Sequence, residues 1–185
     1  VTMDETLALV ESYMAAPRLH QIATVNPEFV MAAQTDDEFR RVLEAADLCL
    51  PDGVGLLYAA RRYGRRLPER VPGSELVYRL AERAAERGWP LFLLGAAPGV
   101  AEAAAAILTA RYPGLRVAGC YAGTPAVAEN EALVARINAS GAALLYVAYG
   151  APQQDKWIAR NRDALTTVRV AIGVGGSLDF VTGRA

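Results

Sequence analysis

Histidine occurs once and cysteine twice in 185 residues, and these scarcities remove several kinds of chemistry at the outset. His20 has no second histidine with which to hold a zinc ion, and no Ser-His-Asp triad is supported around it, which leaves it at most a lone base. Cys49 and Cys120 stand far apart in unlike contexts. Each closes an apolar run, and both read as buried reduced thiols rather than a disulfide or a metal pair. Surplus charge is missing too. A formal net charge of −1 argues against a nucleic-acid partner, whose phosphates select basic surfaces. No long hydrophobic run is present: the alanine-rich stretch at 103–106 is short and bracketed by Glu102 and Arg111, so nothing reads as a membrane span. The opening VTMDETLALVESYM carries acids at helical spacing instead of a basic start and an apolar stretch. It is not a signal peptide, and the sequence reads as cytoplasmic. No glycine-lysine-serine or glycine-lysine-threonine run occurs, so there is no P-loop. Asp36 and Asp37 are adjacent near a helix start and read as caps, so no metal dependence is expected.

What the chain does have is rhythm. Hydrophobic residues make up 53% and charged residues 21%, ordinary globular material of a length that suits one domain. Leu7, Val10 and Met14 give helical spacing, and HQIATV reads as a buried strand. Phe39, Val42, Leu43 and Ala46 mark a helix opened by Thr35 and the two aspartates. LCLP is a short strand closed by the Asp52-Gly53 turn, a helix runs from about 54 to 63, and RYGRRLPERVPG is a loop. The second half repeats the pattern. Leu76, Leu80 and Ala84 form a helix stripe that stops at Gly88, PLFLLG is a buried strand, and Val100, Ala104, Ile107 and Leu108 line a helix ending before Pro113. RVAGCY, ALLYVAYG and VRVAIGVG read as three more strands, with helices near 127–139 and 153–163. This alternation predicts an α/β fold, a Rossmann-like parallel sheet with helices on both faces. It would be a single unit over 1–185 made of two βα halves, about 1–73 and 74–185.

Ligands of such sheets bind beyond the carboxyl ends of the strands. That rule singles out 24–28, Asp52 with Gly53, 95–99, 121–124, 150–154 and 173–179. LLGAAPGVAE lies at a strand-to-helix junction and is either a tight turn or a cradle for a diphosphate. Its spacing is not GxGxxG, and RVAGCY ends without the acid that an NAD site wants, so an NAD-dependent oxidoreductase is disfavoured. Asp52 is either a turn aspartate bonding its own backbone or, in a partly dry site, a general base. Trp157 and Ile158 read as core or interface. The arginines at 61, 62, 65, 66 and 70 form either a solvated face or a patch for anionic lipid phosphates, and their position directly after Asp52 favours the patch.

Seven stretches, ATVNPEFV, LPDGVGL, RVPGSEL, LFLLGAAPGVAE, YPGLRVAG, YGAPQQDKWI and GVGGSLDFVTG, span nearly the whole chain. In order and spacing they resemble the WecG/TagA/CpsF glycosyltransferases. The resemblance implies an inverting, metal-independent transfer of N-acetylmannosamine or a related hexose. The donor would be a UDP-sugar and the acceptor an undecaprenyl-diphosphate-linked N-acetylglucosamine, in cell-surface polysaccharide synthesis. It makes Asp52 the expected general base. Thr24 and Asn26 are expected to contact sugar hydroxyls, Arg70 to offset diphosphate charge, and Gln154 to touch sugar or phosphate. Gly95, Gly99, Val100, Tyr121, Gly150 and Asp179 are expected along the nucleotide. Two positions depart from the family's PKQE-like motif: Gln153 stands where a lysine is usual, and Asp155 where a glutamate is. Family members also continue past the last residues here with an arginine-containing tail of some tens of residues. The resemblance therefore implies a truncated, weakly active form, with peripheral membrane contact made through that tail. It further implies a homodimer. A UDP-binding module without turnover and a UDP-sugar mutase or epimerase are the remaining alternatives.

Overall fold

The structure, a computed structural model, describes residues 1–184. Six strands form one sheet in the order β2-β1-β6-β5-β3-β4, and every neighbouring pair is parallel. They are β1 (His20–Val25), β2 (Leu48–Pro51), β3 (Leu91–Gly95), β4 (Val117–Tyr121), β5 (Leu144–Ala148) and β6 (Val170–Gly173). All six fall where the apolar runs put them.

The period of two along each strand sorts side chains into two cores. Leu91 and Leu93, Leu144 and Tyr146, and Val170 and Ile172 face one side. There they meet α1 (Met3–Met14), α5 (Gly73–Arg87), α6 (Val100–Arg111) and α9 (Ser177–Thr182). Phe92 and Leu94, Leu145 and Val147, and Ala171 face the other side, against α7 (Asn130–Ser140) and α8 (Gln153–Asn161). Trp157 and Ile158 of α8 are fully buried there, as core. The sheet is thus covered on both faces, and the architecture is α/β and Rossmann-like.

Three elements depart from the sequence reading. The first is α2 (Pro27–Thr35), which precedes α3 (Asp37–Ala45) where only one helix is expected. Asn26 caps α2 by accepting the Phe29 N–H, with proline in its first turn, and Asp36 caps α3 by accepting the Phe39 N–H. Lys156 reaches Asp36 and Glu38 at 2.7 Å each, fastening α3 beside α8. The second departure is α9, where a loop is expected. The third is at the cysteines: Cys49 lies exposed on edge strand β2 and Cys120 is only half-buried on edge strand β4, and both are free. The remaining helix, α4 (Val54–Arg62), and the irregular stretch after it match expectation.

His20 sits at the amino end of β1, away from the ligand-binding edge. Its ring stacks on Tyr13 at 4.1 Å and its Nδ1 lies 3.1 Å from Asp47. Asp47 also binds Arg18 at 2.7 Å, Arg162 at 3.1 Å and the Gln21 N–H at 2.9 Å. The single histidine is therefore part of a structural junction and not a lone base in the candidate site. Among the described residues no helix is long and apolar enough to cross a membrane, and no three His, Cys, Asp or Glu side chains cluster as a metal site would require.

Candidate active site

The carboxyl ends of β1, β2, β5 and β6 converge on one open cavity of about 430 Å³. Its walls include Thr24, Asn26, Asp52, Arg70, Gly150 and Gln154. Six of the residues singled out from the sequence are therefore brought together, from positions 130 residues apart, because parallel strands deliver all their following loops to one edge.

Asp52 follows β2 and is half-buried, with its own N–H bonded to the Val25 carbonyl at 2.8 Å. Burial pushes its carboxyl above the ordinary aspartate value, and this outweighs the opposing pull of the Gly73 N–H and of Arg70. An ionised carboxylate with a raised pKa is a better proton acceptor than a solvated one, which is what a general base requires. Glu28 also lines the cavity, on the exposed first turn of α2.

The polar neighbours divide by what they still have to offer. The Asn26 side-chain oxygen is committed to capping α2, so its amide N–H groups remain as donors. Thr24 donates its hydroxyl proton to the Gly173 carbonyl at 3.0 Å and can only accept from a ligand. Gln154 is 1% exposed; its side-chain oxygen accepts the Gly175 N–H at 2.9 Å, and its amide nitrogen packs on Gly173. It shapes the floor of the cavity. Arg70 is exposed at the rim, the cation among the lining residues.

Beside Gln154, the Asp155 side chain is wholly buried and its two oxygens make no hydrogen bond of good geometry. Burial pushes its carboxyl up to about 7, against a smaller opposing effect from the adjacent Gln154 amide. Lys156, one position further on, faces α3 and supplies no charge to the cavity.

Other expected residues lie elsewhere. Gly95 is left-handed (φ 95°), and a Cβ there would sit 2.8 Å from the Ala148 carbonyl carbon, so glycine lets β3 and β5 close together. Gly99 (φ 84°) caps α6 and has open space where a Cβ would point. The Val100 side chain is core, and its N–H donates to the Ala97 carbonyl at 3.0 Å. Tyr121 ends edge strand β4, under the Arg136 guanidinium at 4.3 Å, and lines a separate cavity of about 200 Å³. With β2 and β4 on opposite edges, five strand spacings put Tyr121 roughly 24 Å from Asp52. Asp179 lies in the first turn of α9 and does not line the cavity, whereas its neighbours Gly176, Ser177 and Phe180 do. Glu28 and Ser177, inside two of the marked stretches but given no role, also line it, and so do Ser74 and Phe180. Each lies in or beside a stretch already marked by the strand-end rule or by a quoted motif.

Comparison with known proteins matches the chain to the glycosyl transferase WecG/TagA/CpsF family over residues 1–185. Its similarity to three curated proteins points the same way. The Bacillus subtilis N-acetylglucosaminyldiphosphoundecaprenol N-acetyl-beta-D-mannosaminyltransferase is 33% identical over 88% of this chain and 62% of its own length. The protein of that name from Bacillus spizizenii is 31% identical over 98% and 72%, and that from Staphylococcus aureus strain MRSA252 is 33% identical over 88% and 63%. The chain thus spans about two thirds of the length of these relatives. From the match along its whole length, the chain belongs to the WecG/TagA/CpsF family of glycosyltransferases.

Proposed function

We propose that this chain is the catalytic core of an inverting transferase that moves N-acetylmannosamine, or a related hexose, from a UDP-sugar to an undecaprenyl-diphosphate-linked N-acetylglucosamine. The product would serve cell-surface polysaccharide synthesis of the teichoic acid type. One observation carries the reading: a half-buried carboxylate of raised pKa, Asp52, shares a cavity with Asn26, Thr24 and Arg70 at the ligand-binding edge of the sheet.

Asp52 takes the proton from the acceptor hydroxyl as that oxygen attacks the anomeric carbon. The bond to the diphosphate breaks on the opposite face, and UDP departs with the electron pair. Asn26 donates to a sugar oxygen, and Thr24 accepts from a sugar hydroxyl. Arg70 stabilises the leaving diphosphate, with the nucleotide lying past Gly150 toward β3. Transfer needs no metal in this reading. One arginine at the cavity is little charge for a diphosphate. We infer that residues of the longer relatives outside the matched stretch add more, and that the 185-residue chain alone turns over slowly. The full-length enzyme works at the cytoplasmic face of the membrane as a peripheral protein and forms a homodimer.

The test is saturation-transfer NMR on this chain with UDP, UDP-N-acetylmannosamine and NAD, followed by product analysis with the full-length protein. Saturation of uridine protons without NAD signals, and a product of inverted anomeric configuration, are expected. NAD binding without uridine binding, or a retained configuration, contradicts the reading.

A further inference from the structure

We propose that α4 and the arginine-rich stretch after it form a docking surface for an anionic lipid bilayer, set beside the mouth of the cavity. The inference rests on the reading of that cavity as the site of a lipid-linked acceptor.

Helix α4 is unusual in this fold because none of its residues is buried. Leu56 and Leu57 face inward only partly, while Val54 and Tyr58, one helical turn apart, stand outward with Tyr58 69% exposed. Tyr63, just past the helix, is 84% exposed. Between Asp52 and Glu69 the sequence has four arginines and no acid, in a chain whose formal net charge is −1. Arg61, Arg62, Arg65 and Arg66 are all exposed, and none has a carboxylate within ion-pair distance among the described residues. Arginines on α5 behave differently: Arg79, Arg83 and Arg87 are each paired with acids of α1 or of their own helix.

The surface is tied to the cavity at both ends. Asp52 leads directly into α4, and Arg70 closes the stretch that follows it; both line the cavity. The α4 start is seated on the α2 start, since a Cβ on Gly53 would lie 2.6 Å from the Pro27 ring. Phe180, 63% exposed, adds an apolar side chain to the cavity lining. Tyrosines at the level of lipid headgroups, with unpaired arginines reaching anionic phosphates, form a membrane-interface pattern and suit neither a folded core nor a plain solvated helix. Charge complementarity names the occupant as an anionic bilayer.

The experiment is co-sedimentation of the 185-residue chain with phosphatidylcholine vesicles, with and without phosphatidylglycerol. Binding to the anionic vesicles alone, weakened by salt, is expected. Each arginine near the surface is worth about fivefold in partitioning, so replacing Arg61, Arg62, Arg65 and Arg66 by serine lowers binding by roughly 100-fold or more. Tyr58→Ser with Tyr63→Ser lowers it further, whereas Arg116→Ser with Arg136→Ser, beside β4 at the opposite edge of the sheet, leaves it within a few-fold of wild type. Melting temperature and UDP binding stay unchanged throughout. Wild-type-like vesicle binding by the four-arginine variant overturns the proposal. So does a change in its sedimenting mass with vesicle binding intact, which assigns the face to a second copy of the chain. UDP binding without any vesicle binding removes the docking surface and leaves the transferase reading standing. Vesicle binding by this stripe without UDP binding does the reverse.

Discussion

The Gln154 side-chain oxygen accepts the Gly175 N–H at 2.9 Å, tying the start of α8 to the loop after β6 across the cavity floor. Gln154→Leu keeps the volume but leaves that half-buried N–H unanswered. It is expected to lower stability by about 1–3 kcal/mol in urea denaturation. Unchanged stability would show that the loop is held by other means.

Two glycines that look alike in LLGAAPG should respond differently. Gly95→Ala drives a methyl to 2.8 Å from the Ala148 backbone and should destabilise by roughly 3 kcal/mol or more. Gly99→Ala meets only open space and carries the left-handed penalty of about 1–2 kcal/mol. If the nucleotide extends past Gly150 as far as the α6 N-terminus, the same Gly99 variant also loses UDP affinity, by about tenfold, because the methyl crowds an approach worth one hydrogen bond. Thermal melts and calorimetric UDP titration separate the two effects.

Asp155 should make stability fall as pH rises. Its folded pKa, about 7, lies above the ordinary value of 3.8, so between those pH values the folded chain holds a proton that the unfolded chain has released. The stabilisation is therefore fully present below about pH 4 and lost as pH climbs through 7, by up to roughly 4 kcal/mol. Asp155→Asn, neutral at every pH, flattens this slope and is the more stable protein at pH 8. The Asp47 junction works in the opposite sense. Burial alone would raise its carboxyl, but the Arg18 and Gln21 hydrogen bonds and the Arg162 charge hold it below the ordinary value, so its contribution is lost only in acid. A wild-type stability profile that rises steadily from pH 4 to 8 would contradict the Asp155 assignment.

The strands were legible because each is a short apolar run, and Thr24, Asn26, Asp52, Gly150 and Gln154 were legible because they lie at or just past the carboxyl ends of strands. Strand order was not. Nothing in the local pattern says that β6 pairs with β1 and β5, or that β2 and β4 take opposite edges, and that order separates Tyr121 from Asp52. Apolar spacing is a signal of burial, and it is silent for α2, which buries only Phe29. The usable sign was the Asn-Pro-Glu start. Cys49 misled for a related reason: LCLP is apolar, but an edge strand leaves one side of it uncovered.

A metal-independent transferase should be indifferent to chelation. Transfer by the full-length enzyme in EDTA is expected to match that in magnesium within about twofold, whereas a metal that clamps the diphosphate would be worth several kcal/mol. Loss of activity in EDTA, restored by a divalent cation, would overturn that part of the proposal.

The most direct test of the central claim is the rate of sugar transfer by full-length enzyme carrying Asp52→Asn, beside Glu28→Gln as the other carboxylate of the cavity. General-base help is worth about 10²–10⁴ in rate, so the Asp52 variant should lose that much in kcat while still binding UDP, and the Glu28 variant should stay within about tenfold of wild type. Wild-type kcat/KM should fall with decreasing pH through a value above that of an ordinary aspartate, because the base must be ionised and burial raises its pKa. Wild-type-like turnover by Asp52→Asn, or a loss confined to Glu28→Gln, would contradict the account.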